Sequence, residues 1–384
     1  MPPGNDAALR DNRLPSLTGM RFVAAFLVFL AHCSIQGFFS DTVLQGSLQN
    51  VLVRASWAGV QFFFMLSGFV LTWSAKPGDT ALAFWRRRAT KLFPSNLVVT
   101  VAALVLALAT GATLTAAQVI PNLLLVQSWV PSATVVNGVN TPSWSLSCEV
   151  LFYALFPVLL RLIDRIPASR LWWLGGGILV FILLMPTVSM AVMPAQPLIG
   201  VNPPVSFAQL WFVYGLPSVR VADFTLGIVL ARLVLSGRWP RLGLLPAAGV
   251  ALASYVLTVL APALYSASAT MAIGLAFLIA AGATADVTGR RSPLAGPRMV
   301  LLGEISFAFY LVHVPVLSYG HRALGGGSWS VAGALIVMCG LFAITLVLGH
   351  LLYTFVERPA MKRFSRKRVV AVPMVPAAVP QSDG

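Results

Sequence analysis

Two ionisable residues share one face of the first apolar segment. Arg21 and His32 stand eleven residues apart; on an α-helix that is about 20° past three full turns, with a rise of about 16 Å. Charge-bearing side chains are costly inside an apolar helix and concentrate where a membrane protein does chemistry or transport. Arg21, near the end of its segment, can snorkel or meet an anionic ligand. His32 lies deeper, where a neutral imidazole can serve as a general base. The plain alternative is a histidine hydrogen-bonded across a helix interface. Glu149 is the next outlier, within Pro142-Ser143-Trp144-Ser145-Leu146-Ser147-Cys148-Glu149. A carboxylate there must be neutralised, paired or hydrated. His32 is a candidate partner, and the pair would fix the imidazole tautomer and raise its basicity.

Arg86, Arg87, Arg88 and Lys91 form a basic run before the third apolar stretch. Guanidinium forks bind phosphate bidentately, and a following helix N-terminus would add positive charge. A nucleotide-bearing acyl donor such as coenzyme A would suit such a clamp; the alternative is a topological anchor. Ser67 offers a hydroxyl to a substrate, although the Ser67-Gly68 pair reads more simply as a close helix contact. Asp223 and Arg220, three apart, can pair on one helix. Glu304 lies near Arg298, and Glu357, which closes the last span, is expected to form an ion pair with a cytoplasmic Arg. Cys33, Cys148 and Cys339 all lie in apolar stretches. No CxxC or Cys/His cluster of zinc spacing occurs, so neither a disulfide framework nor a metal site is expected. Cys33 adjoins His32, but neighbours on a helix diverge by about 100°, a poor nucleophile–base geometry.

The elements that must position these residues are membrane helices. The 384 residues are 58% hydrophobic and 10% charged, too little polar surface for a soluble globule. Apolar runs long enough for a ~30 Å slab recur without strand-like alternation. They place spans at 16–39, 57–74, 93–110, 143–163, 171–193, 219–235, 243–263, 266–284, 299–319 and 330–355. The fold class is therefore all-α: a polytopic membrane bundle of about ten helices with both termini cytoplasmic. That topology puts all of the 26 Lys and Arg inside except Arg54, Arg220 and Arg322, as the positive-inside rule requires. The net charge of +15 is thereby assigned to the lipid bilayer surface rather than to nucleic acid. The expected parts are a cytoplasmic segment 1–14, a transmembrane domain 15–364 and a disordered cytoplasmic tail 365–384. Segment 118–131 reads as re-entrant or interfacial, and 195–219 as a long outer loop, either a lid or an anchor.

Order and spacing along nearly the whole chain resemble the acyltransferase-3 family of membrane O-acyltransferases. The resemblance rests on Leu17-Thr18-Gly19-Met20-Arg21 with its spacing to His32 and on the aromatic run Phe62-Phe63-Phe64 before Leu66-Ser67-Gly68-Phe69. It continues through the basic run ending at Pro94, Trp144-Ser145-Leu146-Ser147 before Glu149 with Tyr153, Gly303 to His313, and Glu357-Arg358-Pro359. It implies transfer of a short acyl group, commonly acetyl, from acyl-CoA to a hydroxyl, in the inner membrane of a bacterium. Catalytic roles would fall to His32 as base, Glu149 as its orienting partner and Arg21 at the donor or oxyanion. Arg86, Arg87, Arg88 and Lys91 would bind CoA, and Ser67, Trp144, Ser145, Tyr153 and His313 the substrate. Val150 stands where relatives often have a second acid, and Lys91 where they often have arginine, which keeps charge but loses the fork. The expected acceptor is sugar-containing, either a macrolide or other secondary metabolite or a cell-envelope glycan. Direct transfer is preferred to an acyl-enzyme. A proton-coupled small-molecule transporter using His32 and Glu149 as a relay is the alternative, although no repeat of broken helices accompanies it.

Overall fold

The computed structural model describes residues 14–200, 204–240 and 242–364. The expected N-terminal segment up to residue 13 and the expected tail 365–384 lie outside the described residues, as does Arg241. Every predicted span is helical. In chain order they are α1 (Pro15–Gln36), α2 (Thr42–Trp73), α3 (Ala81–Ala109), α4 (Trp144–Asp164), α5 (Leu171–Val192), α6 (Pro217–Leu235), α7 (Leu244–Leu260), α8 (Ala272–Val287), α9 (Pro297–Ala323) and α10 (Val331–Leu352). Eight spans are long and apolar enough to cross a membrane on those criteria alone, α8 together with the preceding short helix Ala263–Ser268. The other two fall short for visible reasons: α6 carries Arg220, Asp223 and Arg232, and α7 has 17 residues. The protein is a polytopic helical membrane bundle. Among the described residues the strand content is one two-residue antiparallel pairing, Leu198–Ile199 with Val205–Ser206.

Helix ends follow their capping chemistry. Pro15 opens α1, where its missing N–H is no loss. The backbone N–H of Ser16 donates to Asp286 of α8 at 2.9 Å, tying the first span to the eighth. Gly37 closes α1 at φ 75°, a left-handed cap that favours glycine. Asp41 caps α2 and Thr80 caps α3 through side-chain oxygens. The Thr80 cap alters one expectation: α3 begins at Ala81, so the basic run lies inside the helix rather than before its N-terminus. Any phosphate affinity there comes from side chains, with no contribution from the helix end.

α1 packs against α2 and α9, and α2 in turn crosses α6. At that crossing Gly68 of α2 faces the carbonyl of Phe224, and Gly227 of α6 faces the carbonyl of Met65; a Cβ at either position would collide with backbone oxygen. The close contact expected of Gly68 is thus supplied reciprocally, in the small-residue manner of membrane helices. We expect Gly227→Leu to destabilise the bundle by about 1–3 kcal/mol or more, because overpacking here strikes backbone rather than a movable side chain. An unchanged thermal-unfolding midpoint in detergent would refute that.

The chain between α3 and α4 forms two short helices, Ala116–Leu124 and Ala133–Val136, and two 3-10 turns, Gln127–Trp129 and Thr141–Ser143. Buried amides hold this segment to the start of α4. Gln127 donates to Ser143 Oγ at 3.0 Å and accepts from Ser147 Oγ at 2.9 Å. Asn140 donates to the Leu311 carbonyl of α9 at 3.1 Å. The outer loop is pinned over the same turn by Trp211 Nε1, which donates to the Ser128 carbonyl at 2.9 Å.

Candidate active site

α1, α2, α3, α4 and α9 enclose a cavity of about 110 Å³. Its polar lining is Arg21 from α1, Ser67 from α2, Arg88 and Lys91 from α3, Ser145, Glu149 and Tyr153 from α4, and Ser306 and Tyr310 from α9. Phe63, Phe64 and Leu66 form its apolar wall. Positions 145, 149 and 153 recur every four residues, so one stripe of α4 supplies all three groups. A larger vestibule of about 830 Å³ lies between the α2–α3 turn and the far half of α4. Lys76, Asp79, Arg87, Arg161 and Asp164 line it, and it shares Leu71 and Arg88 with the inner cavity.

Arg88 stands at that junction. Its guanidinium lies 5.8 Å from the Phe84 ring centroid, and its buried Nε has no hydrogen-bond partner. Lys91 sits 5.9 Å over Phe307. Arg87 turns the other way, into an ion pair with Asp79. Arg86 is exposed. The four basic residues therefore separate: two face the inner cavity, one braces the vestibule and one faces outward.

Glu149 accepts a hydrogen bond from Tyr153 Oη at 2.7 Å. The charged groups acting on it are Lys91, Arg21 and Arg88. Glu357 is buried beside Lys91 and Arg21, with Oε2 unpartnered. Where an ion pair with a cytoplasmic Arg was expected, Lys91 and Arg21 are the cations that act on it, so Arg21, Arg88 and Lys91 stand against Glu149 and Glu357, a balance of three cations and two carboxylates. That balance leaves room for an anion. Glu304 accepts from Tyr353 Oη at 3.3 Å rather than meeting Arg298.

His32 is half-buried. Its Nδ1 lies 2.9 Å from the Val28 carbonyl and 3.2 Å from Nε2 of His313 on α9. A carbonyl only accepts, so the His32 proton sits on Nδ1 and the Nε2 lone pair is left to act as a base. The pair expected between His32 and Glu149 does not form. Near the start of α4, Ser145 Oγ meets Tyr310 Oη of α9 at 3.0 Å. Glu149 shares the cavity with Arg21, about three helical turns along α1 from His32.

Ser67, Ser145 and Tyr153 all line the cavity, as does Tyr310, whose place three residues before His313 put it on the same helical face. Trp144 does not line it; its ring packs edge-on to Phe64 at 6.2 Å and against Tyr214 at 4.7 Å. Cys33 is buried among Phe29, Phe38 and Phe309. Lys76 and Arg161, read from sequence only as topological charges, prove to line the vestibule.

The structure is thus a multi-pass helical bundle with a cation-lined cavity among α1, α2, α3, α4 and α9. The chain belongs to the acyltransferase-3 family, whose model, described as an acyltransferase domain, matches residues 14–354. Acyltransferase MdmB of Streptomyces mycarofaciens is 42% identical over 98% of this chain and 97% of its own length. A putative O-acetyltransferase of Staphylococcus aureus is 22% identical over 96% of this chain, which spans 60% of that longer protein. The exopolysaccharide production protein ExoZ of Rhizobium meliloti is 25% identical over 82% of this chain and 92% of its own length. No solved structure matches.

Proposed function

We propose that this acyltransferase moves a short acyl group, acetyl foremost, from acyl-CoA to a hydroxyl of a sugar-containing acceptor in a bacterial inner membrane. The observation carrying the reading is the file of cations that runs from Lys76 and Arg87 in the vestibule, through Arg88, to Lys91 and Arg21 in the inner cavity. Such a file suits a polyanionic donor entering from the face where the basic loops gather, the cytoplasmic one by the positive-inside rule. The pantetheine arm would then extend along α1 from Arg21 toward His32. The acceptor oxygen attacks the thioester carbonyl as its proton passes to His32 Nε2. The new C–O bond forms, the C–S bond breaks, and the departing thiolate takes the proton from His32. Ester and free CoA are the products. Two of the relatives, one named a putative O-acetyltransferase and one an exopolysaccharide production protein, support oxygen as the acceptor atom and a glycan among acceptor classes.

The test is label transfer from radiolabelled acetyl-CoA by purified protein in lipid, with glycosylated macrolides and envelope glycans as acceptors. Transfer to one class identifies the acceptor; no transfer to any overturns the reading. In the same assay Arg88→Met is expected to raise KM for acetyl-CoA by about 10–100-fold with little change in kcat, since a charged hydrogen bond contributes about 1.5–3 kcal/mol of ground-state binding. An unchanged KM would remove Arg88 from the donor site.

A further inference from the structure

We infer that His313 is the positioning partner of His32, so that the base of this enzyme is a histidine pair in which no carboxylate takes part. The inference rests on the reading of His32 as the base. His313 is fully buried. Its Nδ1 lies 2.5 Å from the Tyr310 carbonyl, which can only accept, so the ring proton is on Nδ1. In a neutral ring Nε2 is then a bare lone pair, and it lies 3.2 Å from His32 Nδ1. The Val28 carbonyl independently places a proton on His32 Nδ1. The single His32 Nδ1–H is therefore shared, in a three-centre bond, between the Val28 carbonyl at 2.9 Å and His313 Nε2 at 3.2 Å, both of which can only accept. The rings meet edge to face, centroids 4.8 Å apart and planes at 76°, and Phe309 and Tyr310 flank His313.

Both nitrogens of His313 are thus engaged, leaving no polar atom for a substrate, contrary to the substrate-binding role expected from sequence. What the arrangement provides is a receiver. When His32 Nε2 takes the acceptor's proton, the ring becomes cationic and its Nδ1–H bond to His313 becomes charge-assisted. Among the described residues no Asp or Glu hydrogen-bonds His32; Glu149 is committed to Tyr153. A neutral acceptor also avoids burying a permanent carboxylate beside an imidazole that is neutral for most of the cycle.

A mere staple between α1 and α9 would show the same hydrogen bond, so the test separates the two. His313→Leu keeps an apolar helix side chain and removes the acceptor; His313→Gln restores a carbonyl oxygen to accept and an amide to donate. At matched folded amounts, His313→Leu is expected to lower kcat by about 10–100-fold with KM for donor and acceptor within about twofold, and His313→Gln to recover most of the loss, the pattern of an orienting partner. Wild-type kcat in His313→Leu, alongside an inactive His32→Ala, overturns the positioning role alone. Full activity in His32→Ala overturns the base and the pair together. A readout independent of turnover is the 15N spectrum of imidazole-labelled protein, whose four histidines can be assigned by single substitution. Protons on Nδ1 of both rings are expected in the wild type; an Nε2–H tautomer at either ring refutes the pair.

Discussion

His32→Ala is expected to lower kcat by about 10²–10⁴-fold, the usual contribution of a positioned general base. KM for acyl-CoA should hardly move, because the cations proposed to hold the donor lie in the cavity about three helical turns down α1. The substitution removes the proposed proton receiver and leaves Arg21, Arg88 and Lys91 in place. Its structural cost is limited: His32 is half-buried, and the loss strands one lone pair, that of His313. Steady-state kinetics on protein matched by thermal midpoint would decide it, and an unchanged kcat would take His32 out of the chemistry. Cys33→Ala is the control. Its thiol is packed among phenylalanines, so direct transfer predicts full activity; inactivity with His32 intact would instead indicate an acyl-cysteine intermediate.

What the sequence made legible is local. Ten spans followed from apolar run length, the shared face of Arg21 and His32 from helical period, and the Arg220–Asp223 pair from a spacing of three. Gly68 announced a close crossing because a glycine beside serine has little other use in an apolar helix. None of these needs knowledge of a second element. The partners were not legible. His32 meets His313 across 281 residues, and nothing in the sequence weighs that histidine above Glu149 as a neighbour. Depth misled as well: Glu149 was placed at the outer entry of its span beside His32, and it lines one cavity with Arg21 instead. The basic run looked like a single clamp. Helical rotation of about 100° per residue divides it, sending Arg88 and Lys91 one way and Arg87 another. Glu357 was read as pairing with a cytoplasmic Arg, and its burial beside Lys91 depends on how the turn Tyr353–Glu357 after α10 packs against α3.

The second large effect concerns an ion pair remote from the proposed chemistry. Arg220 and Asp223 are each 1% exposed. Arg220 Nη2 lies 3.2 Å from Asp223 Oδ2, and Gln61 of α2 donates to Asp223 Oδ1 and to the Ser268 carbonyl, each at 2.7 Å. The guanidinium is also 5.4 Å from the centroid of Phe64, a wall of the inner cavity. Asp223→Leu would leave that cation without its counter-charge, a change expected to cost about 3–5 kcal/mol. Arg220→Met with Asp223→Leu removes both charges at similar volume and should return stability near to that of the wild type, since a buried pair gains little net once desolvation is counted. Thermal midpoints of the wild type, Asp223→Leu, Arg220→Met and the double variant, scanned at one rate so that irreversible unfolding does not distort the comparison, give the coupling directly. A double variant as unstable as Asp223→Leu would mean that the pair does more than neutralise itself. The guanidinium's hold on Phe64 and Tyr214 would then be the interaction that matters, and the ring facing the cavity would owe its position to a charge on α6.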